Sequence, residues 1–247
     1  MRVLWETGRA WAIAKKDMRI YYIKPPTIMF GVFFPAFLFL SFAVGRNIPL
    51  QSLIPGLTAI TVFFTSSSIG PVIIPWERRT GSFERLLSAP VSLISVLAGK
   101  ALAGFFFGVF ISFVIIILGT IYFGLHIVSG FMLFIGIALS AMTFSSLGIL
   151  FSSIPTENVG NVMMTLNFFR LPLIFISGIF IPLKSLPPIG QSLAIFSPLT
   201  YTHDIFLYSF GNVNQYPLPV DIGILIFFLS FFLSAGVLLH KKNMKKA

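Results

Sequence analysis

The sequence predicts an all-α polytopic membrane protein: six transmembrane helices, an N-terminal interfacial amphipathic helix, a cytoplasmic helix between the second and third spans, and re-entrant helices before the last span. Three observations carry this prediction. The 247 residues are 56% hydrophobic and only 10% charged, with a mean hydropathy of +0.95, whereas soluble domains carry about 25% charged residues. Thirty Phe residues fall largely in long apolar runs, and lipid forces the backbone of such runs to bond within its own segment, which favours helices. The Lys and Arg residues, finally, collect at every second link between those runs, and so on one side.

The runs cover residues 27–44, 53–74, 101–125, 131–151, 159–181 and 220–239. Each is close to the ~20 residues a helix needs to cross the hydrocarbon core. Pro35, Pro71 and Pro172 lie inside them, where neighbouring helices of a bundle tolerate a kink. Fourteen of the seventeen Lys and Arg occur before residue 25, in the segment 76–100 and at the C-terminus. Arg46 and Lys184 lie on the opposite side and Arg170 falls within a run. Positive charge retained inside makes both termini cytoplasmic, in a multi-pass protein of the cell membrane. The excess of +10 is thereby a topology signal, and nucleic acid is not a predicted partner.

Residues 1–24 read as a helix lying on the membrane. Leu4, Trp11 and Met18 recur every seven residues with Ala14 and Tyr22 near the same face, while Arg2, Glu6, Arg9, Lys16 and Arg19 lie largely away from it. Pro25 and Pro26 end that helix. Residues 25–247 then form one six-span domain. A short outer hairpin near 126–130 joins spans three and four, and a short cytoplasmic link at 152–158 joins spans four and five. The outer segment 182–219 is long and still apolar, so short helices dipping into the outer leaflet are expected there.

The segment 76–100, WERRTGSFERLLSAPVSLISVLAGK, is a charged cytoplasmic stretch between apolar runs. Thr80 and Gly81 break the chain, Ser82 to Ser88 allow two helical turns, and Pro90 suits a first helical turn with Ser88 as N-cap. Phe83, Leu86 and Leu87 supply an apolar face, and Glu77, Arg78, Arg79, Glu84 and Arg85 supply charge of both signs. Topology alone needs only the basic residues, so the acids favour a protein partner over a lipid headgroup. A plain topological anchor is the competing explanation.

This segment resembles the pattern of Glu, basic residues, Thr-Gly, Glu, Leu-Leu and Ala-Pro-Val found in type-2 ABC transporter permeases. A second stretch, PLIFISGIFIPLKSLPPIGQSLAIFSPLTYTHDIF, resembles the Ser-Gly-x-Phe-x-Pro, Leu-Pro and Pro-Leu-Thr-Tyr run of the same family, and the resemblance covers essentially the whole chain. It implies a permease pairing with a second permease chain and with cytosolic ABC ATPase subunits, exporting a drug, lipid or glycan. It also implies that Glu77, Thr80, Gly81, Glu84, Leu87 and Pro90 form the element that docks on the ATPase. Gly178, Pro182, Pro187 and Pro198 would shape the outer re-entrant turn. No cofactor is expected on this chain; ATP and Mg would sit on the partner.

The residues themselves agree that the ATPase is elsewhere. The phosphate-loop pattern G-x-x-x-x-G-K followed by Ser or Thr is missing, since Gly99-Lys100 is followed by Ala101 and preceded by Ile94 where the first Gly belongs. Absence of Cys removes thiolate chemistry, and no arrangement of acids, Ser and His argues for catalysis or a metal site. His203 and Asp204 read as solvated loop residues, and Asp221 as a polar interface residue. Arg170, midway along the fifth run, carries a charge that is costly in lipid and faces a cavity or a partner, unless backbone carbonyls or snorkelling satisfy it. Glu157, thirteen residues or about 20 Å away on one helix, is too far to pair with it. Thr65, Thr165 and Asn167 join Arg170 as residues of a translocation path, with helix-joining hydrogen bonds as the alternative role. An ATP-independent channel, secondary carrier or membrane scaffold is the rival function. A carrier commonly places acids at mid-span, and this sequence places none there.

Overall fold

The structure, a computed structural model, describes residues 2–43, 50–124 and 126–244. Val44, Arg46, Leu125, Lys245, Lys246 and the side chains of Arg2 and Leu4, all used in the sequence reading, lie outside the described residues. The described chain is helical with no strand: α1 (Arg2–Tyr21), α2 (Pro25–Ile28), a π-helical turn (Met29–Phe33), α3 (Phe34–Ala43), α4 (Leu50–Arg79), α5 (Ser82–Ser88), α6 (Leu93–Phe123), α7 (Gly130–Phe151), α8 (Val159–Ile176), a 3-10 turn (Leu183–Ser185), α9 (Pro188–Ala194), α10 (Pro198–Ser209) and α11 (Leu218–Met244).

Among the described residues, five helices are long and apolar enough to cross a membrane: Leu53–Arg79, Leu93–Tyr122, Gly130–Phe151, Val159–Ile176 and Leu218–Met244. The sixth expected span, the first run, forms the shorter apolar piece Pro25–Leu38, interrupted by the π turn. Pro35 explains the interruption. It has no N–H to give the Gly31 carbonyl and its ring would clash there; just before it, the Phe34 amide reaches back to Met29, widening the turn.

α4 is the central helix, packing against α6, α7, α8 and α10. The Thr and Ser residues of its stretch 58–68 are turned inward, and Thr58, Thr65 and Ser68 donate to their own helix one turn back. Pro71 cannot donate to the Ser67 carbonyl, and Gly148 of α7 passes over that oxygen. A methyl group at Gly148 would stand 2.5 Å from it, so only glycine permits this crossing. Around this contact Phe63 and Phe144 meet edge to face at 4.7 Å, within a cluster that also holds Phe64, Leu166, Ile205 and Phe206. Between helices in lipid, close packing of this kind and buried hydroxyls hold the bundle together.

α1 differs from expectation in the face it buries. Ala10, Ile13, Ala14, Asp17 and Tyr21 are enclosed against α6, while Trp11 of the expected face stays exposed. The small Ala10 and Gly99 set this approach, since a methyl at Gly99 would come within 2.6 Å of the Ala10 carbonyl. Pro25 and Pro26 do more than stop α1. They open α2, with Lys24 as its N-cap residue, where a missing N–H costs nothing.

The expected cap of the third span is corrected as well. Ser88 closes α5, and Pro90 lies in an extended link. The N-cap is Ser92, whose hydroxyl accepts from the Ser95 amide at 3.1 Å. Short helices do occupy the segment 182–219, but His203 and Asp204 are not solvated loop residues. Both are buried on α10.

Candidate functional site

Gly81 separates α4 from α5. Its φ of 66° lies in the left-handed region that glycine enters without a Cβ penalty, and it turns the chain sharply at the end of a thirty-residue helix. Thr80 fastens the turn: its hydroxyl donates to the Glu77 carbonyl at 3.1 Å and lies 2.9 Å from the Ser82 hydroxyl. On α5, Phe83 is buried among Ile13, Ile74, Val96, Leu97 and Ile149. Glu84 and Arg85 are exposed, Leu86 and Leu87 half-buried. The helix thus presents charge outward from one aromatic anchor.

Glu77 does not join that exposed face. It is enclosed and ion-paired to both Lys16 and Lys100. Asp17 completes the group, 2.8 Å from Lys16 and 3.4 Å from Lys100. Two cations and two anions from α1, α4 and α6 neutralise one another in the interior, as buried charge requires. Burial raises the Asp17 carboxyl above its ordinary range even beside Lys100 and Lys16. Pro90 is exposed, and its carbonyl takes the Arg9 guanidinium. Glu6 accepts from Ser92 at 2.8 Å and from Ser95; these hydroxyls, Ser95 first, hold its carboxyl below the usual range. The N-terminal helix therefore grips both ends of the α5 segment.

The expected path residues divide. Arg170 is fully enclosed, donating to Asn167 at 3.0 Å and to the hydroxyls of Ser67 at 2.6 Å and Ser68 at 3.2 Å. Its guanidinium carbon lies 4.8 Å from the Phe64 ring centroid. Side-chain hydroxyls and an amide bond its two terminal nitrogens, Nε is left without a partner, and within the single chain it faces α4. Thr65 is also buried, its hydroxyl spent on Thr61. Thr165 is exposed and Asn167 half-buried. Asn161, Met164, Thr165 and Phe168 lie on an uncovered face of α8.

Just after α8, Gly178 takes a φ of 86° where a Cβ would also strike Leu183. Pro182 precedes the 3-10 turn, Pro187 is the N-cap of α9, and Pro198 opens α10. Asp204 accepts from the amides of Gln215 and Tyr216, each at 2.8 Å, and so ties the following loop to α10.

The profile of the ABC-2 type transporter family matches residues 5–211. The chain belongs to that family. It is similar to the inner membrane transport permease YadH of Escherichia coli K12, 25% identical over 234 residues, covering 91% of this chain and 90% of the relative. It is also similar to a transport permease, ycf38, of Cyanophora paradoxa, 32% identical over 237 residues, covering 88% of this chain and 78% of that one. The match runs through α1, the α5 segment and α10 in an ABC-2 chain, so the features just described lie inside the family region.

Sequence reasoning missed Lys16, Asp17 and Lys100 as a group. A signal was present: Asp17 stands on the stripe Ala10, Ile13, Ala14, Asp17, Tyr21 at helical spacing, an acid on an otherwise apolar face. It also missed His240 and Asn243 on α11. Asn243 donates to the Ser153 carbonyl at 2.7 Å, a contact no local pattern announces.

Proposed function

We propose that this ABC-2 chain is the membrane subunit of an ATP-driven exporter, moving a hydrophobic or amphipathic substrate out of the cytoplasm. In this reading the helical piece 25–43 joins the five long helices as a sixth span, and both termini face the cytoplasm. ATP and Mg act on a separate ABC ATPase, and α5 is the surface that meets it through Glu84 and Leu87. A second permease chain covers the open face of α8. Glu77, Thr80 and Gly81 serve the docking by fixing the angle of α5, and Pro90 by anchoring its far end to α1.

The observation that carries the reading is α5 itself. A two-turn helix stands off a sharp glycine turn, displays charge, and is rooted by Phe83 in the cluster where α1, α4 and α6 meet. A push on such a helix moves three membrane helices together, because packed elements shift as units. The names of the two relatives, both transport permeases, support transport as the activity.

The test is purification from native membrane in a gentle detergent, followed by a search for a stoichiometric ATP-binding protein. Recovery of such a protein, with ATP hydrolysis that depends on Mg and responds to substrate, is expected. Its absence from repeated preparations of intact permease overturns the reading.

A further inference from the structure

We infer that the cavity between α5, the 152–158 link and the end of α11 is a socket for one basic side chain, Arg or Lys, presented by the cytosolic ATPase. The inference rests on the exporter reading and adds the chemistry of the contact. The cavity has a volume of about 460 Å³, and Phe83, Glu84, Leu87, Glu157, His240 and Met244 line it.

Three of these residues offer acceptors that lack a donor. The chain has seven acids. Glu6, Asp17, Glu77 and Asp204 have partners within the chain, and Asp221 lies at the opposite, outer end on the first turn of α11. The remaining two, Glu84 and Glu157, have no hydrogen-bond or ion-pair partner among the described residues, and both line this one cavity. The third acceptor is His240, which is 1% exposed. Its Nε2 lies 3.2 Å from the Ile149 carbonyl, which can only accept, so Nε2 carries the proton and Nδ1 is left as an acceptor. That Nδ1 has no partner, although buried polar atoms are nearly always bonded.

Arg78 also borders the cavity and its charge acts on Glu84, but its hydrogen bond is spent elsewhere. It donates to the Ile154 carbonyl at 2.5 Å and lies 5.5 Å from the Phe83 ring centroid. The lining combines the apolar Phe83, Leu87 and Met244 with the carboxylates of Glu84 and Glu157 and the ring of His240. A long side chain with an aliphatic stem and a cationic head complements this set. On a face otherwise rich in Lys and Arg, one local acidic socket also fixes the register in which a partner docks.

The test uses the full-length permease in lipid nanodiscs with the ATP-binding protein recovered from its membrane. Affinity is measured for the wild type, E84Q/E157Q and E84R/E157R, with melting temperature as the folding control; both residues are exposed, so the fold is expected to hold. Binding should weaken about tenfold in the glutamine variant and about a hundredfold in the arginine variant. One Arg→Glu or Lys→Glu change on the ATPase should restore binding to the arginine variant. Equal affinity for all three permeases, or failure of every such ATPase change to restore binding, overturns the socket and leaves the exporter reading standing. Failure to recover any ATP-binding protein overturns that reading and the socket with it. Carbodiimide, which joins a carboxylate to a nearby amine, separates the remaining occupant: a link from Glu84 or Glu157 to the ATPase supports the socket, and a link to Lys245 or Lys246 of the same chain overturns it.

Discussion

Glu77 and Lys100 form an enclosed ion pair that clasps the two ends of the α5 segment. Glu77 lies on the last turn of α4, just before the Thr80-Gly81 turn, and Lys100 on the second turn of α6, just after the extended link. Everything between them, α5 included, is a loop closed at its base, and Lys16 and Asp17 of α1 close the same knot from the side. Force applied to α5 then acts on α1, α4 and α6 together.

Breaking this knot from one side should be severe. E77Q leaves Lys100 with only the more distant Asp17, and K100M leaves two carboxylates facing each other beside Lys16. Removing one partner of a buried pair costs about 3–5 kcal/mol, whereas replacing both with apolar groups is much milder. The double variant E77L/K100M is therefore expected to be less damaged than the sum of the single changes. The measurement is the temperature at which half of the purified protein loses its monodisperse peak. Additive losses would contradict the coupling described here.

Gly81 is expected to separate stability from activity. At φ 66° an alanine is strained by about 1–2 kcal/mol, and the cheapest relief is rotation of α5 against α4. G81A should keep the folded protein while lowering partner-dependent transport at least several-fold. G81N should retain most of the activity, since Asn tolerates the left-handed region. Equal activity for all three proteins would mean that the angle of α5 does not matter.

The contact of α1 with the link before α6 should respond to acid. The Glu6 carboxyl is held below its ordinary value of 4.5 by the Ser95 and Ser92 hydroxyls. The stabilisation is thus fully present above 4.5 and is lost as pH falls through the lowered folded value. Pepsin, active in that range, should cut the exposed stretch around Pro90 increasingly as pH falls in the wild type. E6Q should be cut readily throughout, with little dependence of relative susceptibility on pH.

Much of this architecture was legible in local pattern. Apolar run length located the five long helices, because the bilayer sets one length scale, and the Thr80-Gly81 break and Ser82–Ser88 helix followed from turn chemistry. Less legible were features that depend on what a helix packs against. The apolar face of α1 was read from Trp and Met spacing, but the buried face is set by Ala10 and Ile13 fitting Gly99. Glu77 read as a docking residue because the resemblance places it in the docking motif, and only the arrival of Lys100 from another helix reveals its enclosure. His203 and Asp204 read as loop residues because they fall in the long segment 182–219, whereas Pro198 opens a helix there on which both are buried.

Arg170 gives the sharpest separation of a structural from a transport role. Its guanidinium, enclosed with Nε unpartnered, depends on Ser67, Ser68 and Asn167 for bonding. The double change S67A/S68A removes two acceptors from a buried cation and should destabilise the protein by about 1–3 kcal/mol or more. R170M in that background removes the need for acceptors and should restore most of the loss, since Met fills similar space without a charge. R170M alone should therefore be close to wild type in thermal stability. If its transport is also unchanged, the arginine serves packing alone. If transport falls while stability holds, the charge is used when α8 moves against α4 and the hydroxyls of Ser67 and Ser68 exchange with another anionic or polar group. The second outcome is expected, because an arginine held in the interior only by neutral groups has lost its hydration without gaining a counter-ion. Its retention at that cost is best explained by an arrangement of the helices in which the charge meets a stronger partner.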